Sequence, residues 1–242
     1  MTPETNHIIG RIPVLECLRA QRRKARRLFL LRGAKGLDQI RRAAQAVPIE
    51  ERSRVELERM TKGATHQGVL LEADPLPVLE LADWLARPLP KDAILVILDC
   101  IEDPHNFGAI ARSAAACGAT GLLFAKDRTA PLSATAQKSA AGAMEYLDLI
   151  RVTNLARSLS KLKEAGFWVT GLEADSPQLL WEADLSGRVA LIIGSEGKGL
   201  RHLVRQHCDF QLRIPLQGPI TSLNASVSAG IALAECLRQR AK

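Results

Sequence analysis

Apolar residues in the second half of the chain fall into short, nearly unbroken runs. Ile94-Leu95-Val96-Ile97-Leu98 is the clearest, and Gly121–Ala125, Phe167–Thr170 and Val189–Ile193 repeat the pattern. Such runs predict strands buried on both faces, as in a parallel sheet. Leu147–Ile150 and Phe210–Ile214 read as weaker strands. Helical patterns alternate with them: from about Ala109 to Cys117, across Thr135–Ala140, from a Thr153 cap to Ala165 with Gly166 as the stop, from Lys198 to Gln206, and from Ser222 to Arg240. Repeated strand–loop–helix units predict an α/β fold, a mostly parallel sheet with helices on both faces.

The first part of the chain has a different texture. Helices are expected over Ile12–Leu18, 36–46 and 53–60, with strands at Leu28–Leu31, a short extended piece at Val47–Ile49, and a turn at Thr65–Gly68 leading into a strand at Val69–Leu71. These make a smaller α/β domain over residues 1–74. Asp74-Pro75-Leu76-Pro77 and Arg87-Pro88-Leu89-Pro90 bracket a helical stretch from Val78 to Ala86, so residues 75–90 are expected to be a structured linker. Residues 91–242 form the larger domain.

Charge separates the two parts further. Of the formal +7, residues 1–74 carry +6 and residues 75–242 only +1. The run Arg19, Arg22, Arg23, Lys24, Arg26, Arg27, Arg32, Lys35 has no acidic interruption. A field of this kind suits nucleic acid, an anionic membrane surface or a solvated face. A single Tyr argues against a broad stacking platform for bases. His66 and Gln67 suit either a local turn hydrogen bond or an RNA contact. The five cysteines are isolated, odd in number and without metal-ligand spacing, which predicts a reducing, cytoplasmic setting and no metal. No apolar run is long enough to span a membrane.

Candidate chemistry gathers at strand ends. Asn106-x-Gly108-x-x-x-Arg112 follows the 94–98 strand; a helix starting near Gly108 would put Arg112 one turn in, facing phosphate or paired with Glu102 or Asp103. Gly194-Ser195-Glu196-Gly197-x-Gly199 follows the 189–193 strand, and Glu196 can orient a substrate, accept from Arg112 or cap a helix. Ile214-Pro215 leads to Ser222 and Asn224 at the start of the last helix. A dinucleotide fingerprint, a Walker lysine, a nucleophile elbow and a metal-ligand cluster are all missing, which disfavours dehydrogenases, ATPases, serine hydrolases and metalloenzymes.

Taken together, Asn106-x-Gly108-x-x-x-Arg112-Ser113-Ala114, Ile193-Gly194-Ser195-Glu196-Gly197-x-Gly199 and Ile214-Pro215-Leu216-x-Gly218-x-x-x-Ser222-Leu223-Asn224-x-Ser226 resemble the three ordered motifs of the SpoU (TrmH-like) branch of the knotted RNA methyltransferases. The similarity is strongest to members that methylate a guanosine 2′-hydroxyl in the peptidyl-transferase region of 23S rRNA. It extends to Ile9-Gly10, Thr65–Gly68, Lys126-Asp127-Arg128, Arg151–Ala156 and His207–Asp209. Thr221, Leu216 and Ala225 depart modestly from the family pattern without removing a polar site residue.

The resemblance implies a trefoil-knotted SPOUT-type domain, an L30e/L7Ae-like N-terminal domain that presents RNA, and a homodimer. It implies S-adenosylmethionine bound near Gly171, Leu172, Gly194, Gly197, Ile214 and Leu223. Asn106, Arg112, Glu196, Ser222 and Asn224 would carry the chemistry, with Asn106 and Arg112 approaching the other subunit's cofactor pocket. Arg22, Arg23, Lys24, Arg26, Arg27, His66 and Gln67 would contact RNA, either 23S rRNA or a large-subunit assembly intermediate.

Overall fold

The computed structural model describes residues 6–127, 129–130 and 132–241. Residues 1–5, Arg128, Pro131 and Lys242 lie outside the described residues, so Arg128 of the Lys126-Asp127-Arg128 motif has no structural placement here.

Two sheets organise the chain. The first contains β1 (Asn6–Ile9), β2 (Ala25–Leu31), β3 (Ile49–Arg52) and β4 (Val69–Ala73) in the order β1-β4-β2-β3. β4 runs antiparallel to β1 and β2, while β3 is parallel to β2. Helices α1 (Arg11–Ala20), α2 (Asp38–Ala43) and α3 (Arg54–Met60) connect these strands. Val14, Cys17 and Leu18 of α1 pack with Ile40 on Leu28, Leu30, Val69 and Leu71. Ser53 caps α3 in a reciprocal box with Glu56, so the observed start falls within a residue of the predicted 53.

The second sheet holds β5 (Val78–Leu79), β6 (Ile94–Leu98), β7 (Gly121–Ala125), β8 (Asp148–Val152), β9 (Trp168–Leu172), β10 (Val189–Ile193) and β11 (Phe210–Leu212), ordered β11-β9-β10-β6-β7-β8-β5. Every pairing in it is parallel. Each residue of β6, β7 and β10 is buried, which explains the unbroken apolar runs. Alternation divides them: Ile94, Val96 and Leu98 join the core on one face, and Leu95 and Ile97 join the core on the other. Helices α5 (Pro104–Ala116), α6 (Ala134–Ser139) and α9 (Ala225–Arg240) supply residues to the first core. Helices α4 (Leu81–Leu85), α7 (Leu155–Glu164) and α8 (His202–Gln206) supply the second.

Several boundaries differ from expectation. Residues 75–90 are not a connection standing between two bodies. Val78 and Leu79 pair with Leu149 and Ile150 as the sheet's edge strand, and fully buried Trp84 of α4 donates its indole N–H to Asp148 at 3.1 Å. Helix α5 begins four residues before Gly108, because Asp103 caps it through the His105 N–H at 2.9 Å and Pro104 fits the first turn. Asn154, not Thr153, caps α7. Residues 198–201 are loop, and only His202–Gln206 is helical. The last helix starts at Ala225 with Asn224 as its cap, not at Ser222.

The two sheets are joined by polar contacts. Arg23 and Glu145, whose side chains are only 2% and 3% exposed, form an ion pair at 2.6 Å. Arg23 also donates to the Asp74 carbonyl at 3.1 Å and to Gln137 Oε1 at 3.2 Å. Arg22 pairs with Asp148, and the Tyr146 hydroxyl donates to Glu16 at 2.6 Å.

Candidate active site

Parallel strands deliver their following loops to one edge of the sheet, where ligands of α/β proteins bind. Here β6, β9, β10 and β11 are neighbours, so the loops beginning at Asp99, Glu173, Gly194 and Arg213 converge. The β10 loop doubles back on itself. Ser195 and Gly199 form a bridge, with the Gly199 N–H donating to the Ser195 carbonyl at 3.0 Å. A Cβ at Gly194 would lie 2.5 Å from the Gly199 carbonyl carbon, so only glycine permits the fold-back. Gly197 and Gly199 turn the loop with φ of +77° and +62°.

This loop holds Glu196 in a tight polar cluster. Its Oε1 accepts from Asn106 Nδ2 at 2.8 Å, Asn224 Nδ2 at 2.6 Å and the Ala225 N–H at 3.3 Å. Asn224 Nδ2 also donates to Asn106 Oδ1 at 3.0 Å. Meanwhile Asn224 Oδ1 caps α9, accepting from the Ser226 N–H and hydroxyl at 2.9 and 2.6 Å. Three residues separated by up to 118 positions thus share one hydrogen-bond network, with each amide assigned by the donors and acceptors around it.

The cluster stands beside a cavity of about 220 Å³. Leu172, Gly194, Gly197, Ile214, Ser222 and Leu223 line it, as does Glu196. Gly171 does not. A Cβ there would meet Leu200 Cδ1 at 2.4 Å and Cys208 Sγ at 2.9 Å, so Gly171 is a packing glycine behind the wall. Glu173 and Asp175 add two carboxylates that the sequence reading did not single out. Glu173 is buried, and it fixes the far end of the β10 loop by accepting from the Leu200 N–H at 2.7 Å and from Arg205 at 2.5 Å. The available signal was its position immediately after a strand.

Arg112 does not join this cluster. It lies two helical turns beyond Asn106 on α5, is exposed, and has no hydrogen bond or ion pair among the described residues. Neither Glu102, Asp103 nor Glu196 pairs with it. Ser222 is likewise exposed at the cavity without a hydrogen-bond partner among the described residues.

The basic run divides. Arg23 is buried against Glu145, which corrects its expected place on an RNA-facing surface. Arg22 is half-buried on Asp148. Arg26 grips Asp74 through two bonds of 2.6 and 2.9 Å, holding that carboxyl below its ordinary range. Arg27 is exposed and reaches Glu50 at 3.1 Å and Glu72 at 3.8 Å. Lys24 is exposed with no ion pair among the described residues. His66 Nδ1 accepts from the Gly68 N–H at 2.9 Å, and Gln67 Oε1 from the Arg11 N–H at 2.9 Å, so both support the turn before β4. Along with Arg11, Lys35 and Arg54 they also line a groove of about 860 Å³.

None of the five cysteines forms a disulfide among the described residues. Burial pushes the Cys17 and Cys236 thiols up to about 11 and Cys208 to about 12, so these three are not thiolates at neutral pH. Among the described residues, no group of acidic, His and Cys side chains is placed to hold a metal, and no helix is long and apolar enough to cross a membrane.

Known proteins share both the sequence and the fold. Residues 93–234 match the SpoU rRNA Methylase family, and residues 7–79 match the RNA 2′-O ribose methyltransferase substrate binding family. An uncharacterized tRNA/rRNA methyltransferase of Mycobacterium sp. (strain KMS) is 43% identical over 246 residues, covering 99% of this chain and 78% of that protein. The 23S rRNA (guanosine-2′-O-)-methyltransferase RlmB of Pseudomonas putida is 43% identical over 201 residues, covering 82% of this chain and 80% of its own length. Among solved structures, the SpoU methyltransferase AviRb of Streptomyces viridochromogenes, in complex with AdoMet, superposes with a TM-score of 0.81 at 24% identity, covering 98% of this chain and 90% of its own. An RNA 2′-O ribose methyltransferase gives 0.81 at 27% identity, with 98% and 89% covered. The architecture is therefore the SPOUT-type trefoil-knot fold with an N-terminal mixed-sheet domain. A family model that spans more than half of the chain, and relatives aligned over nearly all of it, establish that the chain belongs to the SpoU rRNA methylase family.

Proposed function

We propose that this protein transfers a methyl group from S-adenosylmethionine to the 2′-oxygen of a guanosine ribose in the peptidyl-transferase region of 23S rRNA, on the rRNA or on a large-subunit assembly intermediate. The observation that carries the reaction is the Asn106–Glu196–Asn224 cluster beside a cavity lined by strand-end loops. The 43% identity to the Pseudomonas putida RlmB supports the substrate.

The cavity residues fit the cofactor's chemistry. Leu172, Ile214 and Leu223 offer apolar contacts, Gly194 allows backbone to approach closely, and Asp175 and Glu196 offer carboxylates to a cationic group, while Glu173 is paired with Arg205. When bound, S-adenosylmethionine supplies an electrophilic methyl group on a sulfonium. The protein's share is alignment and charge placement. Three donors hold Glu196 Oε1, so its carboxylate is pre-oriented beside the cavity. Asn106 and Asn224 fix that orientation, and Ser222 brings a free hydroxyl to the same wall.

Arg112 is in a different position. A guanidinium is a fixed cation with a planar fork of N–H donors and no acceptor, so its role is to anchor phosphate and stabilise developing negative charge on the attacking oxygen. It performs this role in the partner subunit's site of a homodimer. Its exposure and lack of an intrachain partner support that arrangement, as do the exposed apolar side chains of Ile220 and Val227 close to Asn224 in sequence.

The test is methyl transfer from labelled S-adenosylmethionine to 23S rRNA lacking the modification, with mapping of the product to a nucleotide. One 2′-O-methylguanosine in the peptidyl-transferase loop is expected. Transfer to tRNA alone overturns the target, and transfer to no RNA overturns the reaction. For the dimer, mixing inactive Arg112→Ala and Glu196→Ala proteins should restore roughly a quarter of wild-type activity, because half the dimers are mixed and each has one complete site. A mixture that stays inactive overturns the shared site.

A further inference from the structure

A second cavity, of about 680 Å³, lies across the β10 loop from the first. Ser195, Glu196, Lys198 and Gly199 of the β10 loop and Ala225 of α9 border both cavities, so the two adjoin at Glu196. Asn106 and Arg201 line only the second. The Glu196 cluster therefore faces two chambers, and the first fits the methyl donor.

Arg201 is held there in an unusual way. Asp99, fully buried at the end of β6, accepts from the Arg201 N–H at 2.9 Å through Oδ2 and from Arg201 Nε at 2.6 Å through Oδ1. One carboxylate thus clamps both the backbone and one edge of the guanidinium. The two terminal nitrogens have no partner among the described residues, and the side chain remains 38% exposed. A fixed guanidinium with a free fork at a cavity wall is pre-organised for a tetrahedral oxyanion, since little rotamer freedom is left to lose on binding. The Asp99 contact keeps the buried carboxylate compensated, whereas the free fork has no structural task.

We infer that the second cavity seats the target nucleotide and that Arg201 anchors its phosphodiester. The inference rests on the methyl-transfer reading and extends it to the substrate side of the site. Charges in the cavity are arranged by loop. The β10 loop supplies Lys198 and Arg201, together with Glu196, whose Oε1 is already taken up by Asn106 and Asn224; the β6 loop supplies Glu102 and Asp103. Asp103 Oδ1 already caps α5, and Glu102 is exposed with no partner among the described residues. The phosphate lies toward the β10 loop, and the N–H donors of the base lie toward Glu102. Arg201 is a positioning residue for RNA and has no contact with the cofactor cavity.

Arg201→Gln tests this, using RNA as the varied substrate and saturating S-adenosylmethionine. The expected result is a rise of about tenfold or more in the RNA KM, kcat within threefold of wild type, and cofactor affinity by calorimetry within twofold. The slope of log Kd for RNA against log salt should fall by about 0.7–0.9, the contribution of one lost phosphate contact. A role confined to holding Asp99 would leave that slope unchanged. A folded Arg201→Gln protein with wild-type KM and salt slope overturns the proposal. If this variant fails to fold, Arg201→Lys serves instead. It keeps a cation above Asp99 but loses the fork, and a wild-type RNA Kd in that protein overturns the proposal equally. A wild-type protein that binds RNA but transfers no methyl refutes the functional reading, and the salt-slope comparison still decides the role of Arg201.

Discussion

Replacing Arg23 tests how the first sheet is held against the second. The wild-type side chain places Nε 3.0 Å and a terminal nitrogen 2.6 Å from Glu145 Oε1, with both partners almost completely buried. In Arg23→Ala the Glu145 carboxylate loses its cation and stays out of water. Removing one partner of a buried pair costs about 3–5 kcal/mol. For a chain of this length, each kcal/mol shifts the melting temperature by roughly 2–4 °C, so a fall of about 6–20 °C is expected. Replacing both, as in Arg23→Met with Glu145→Leu, removes the stranded charge. That double variant should lie within about 2 kcal/mol of wild type, since the remaining losses are the bonds to the Asp74 carbonyl and Gln137, each contributing about 1 kcal/mol. Calorimetry and urea unfolding of wild type, Arg23→Met, Glu145→Leu and the double variant give the coupling directly. A single variant that loses under 1 kcal/mol, or a double variant as unstable as the single, would refute the account of this pair as a buried clamp.

Other consequences concern the site and its supports. Asn224→Ala removes both the α9 cap and one anchor of Glu196; stability should fall by about 0.5–2 kcal/mol and turnover by on the order of 100-fold. Asn224→Asp keeps the cap acceptor but places a second carboxylate against Glu196, so turnover should fall while the melting temperature at neutral pH changes less than in the alanine variant. Gly108→Ala would set a Cβ 2.5 Å from the Ala136 carbonyl oxygen and the Ser139 Cβ, pushing α5 from α6 at a cost of about 1–3 kcal/mol and moving Asn106. Wild-type stability and turnover in that variant would show that α6 yields freely. Asp74 has a folded pKa below its ordinary value because Arg26 hydrogen-bonds to it. Its contribution is complete above the unfolded value of about 3.9 and is lost as pH falls through the folded value. The melting temperature of Asp74→Asn should therefore fall less steeply than wild type below about pH 4, and parallel curves would contradict the linkage.

Much of the architecture is legible in local pattern. Runs such as Ile94–Leu98 and Val189–Ile193 are buried on both faces, and only a parallel sheet between helical layers requires that at successive strands. Helix starts were less legible where a cap lay upstream of the apolar pattern. Asp103-Pro104 opens α5 before its buried face begins, and Asn224, two residues inside the helix expected from Ser222, proves to be its cap. Val78–Leu79 is too short to announce a strand, and becomes one only because β8 offers it an edge.

For the site, sequence determined the ingredients: glycines that let the β10 loop double back, and Asn106, Glu196 and Asn224 at the ends of strands or starts of helices. Tertiary structure decided who meets whom. Strand order, which no local pattern encodes, places β6 beside β10 and so joins Asn106 to Glu196 across 90 residues. It also turned the basic run inward at Arg23, because the matching acid, Glu145, lies 122 positions away on the other sheet's body. Charge composition describes a long-range field, whereas burial of one guanidinium depends on the surface that packs over it. Arg112 marks the same division: its type and spacing are local, but its isolation on the surface of α5 exists only once the fold has left it without a partner among the described residues.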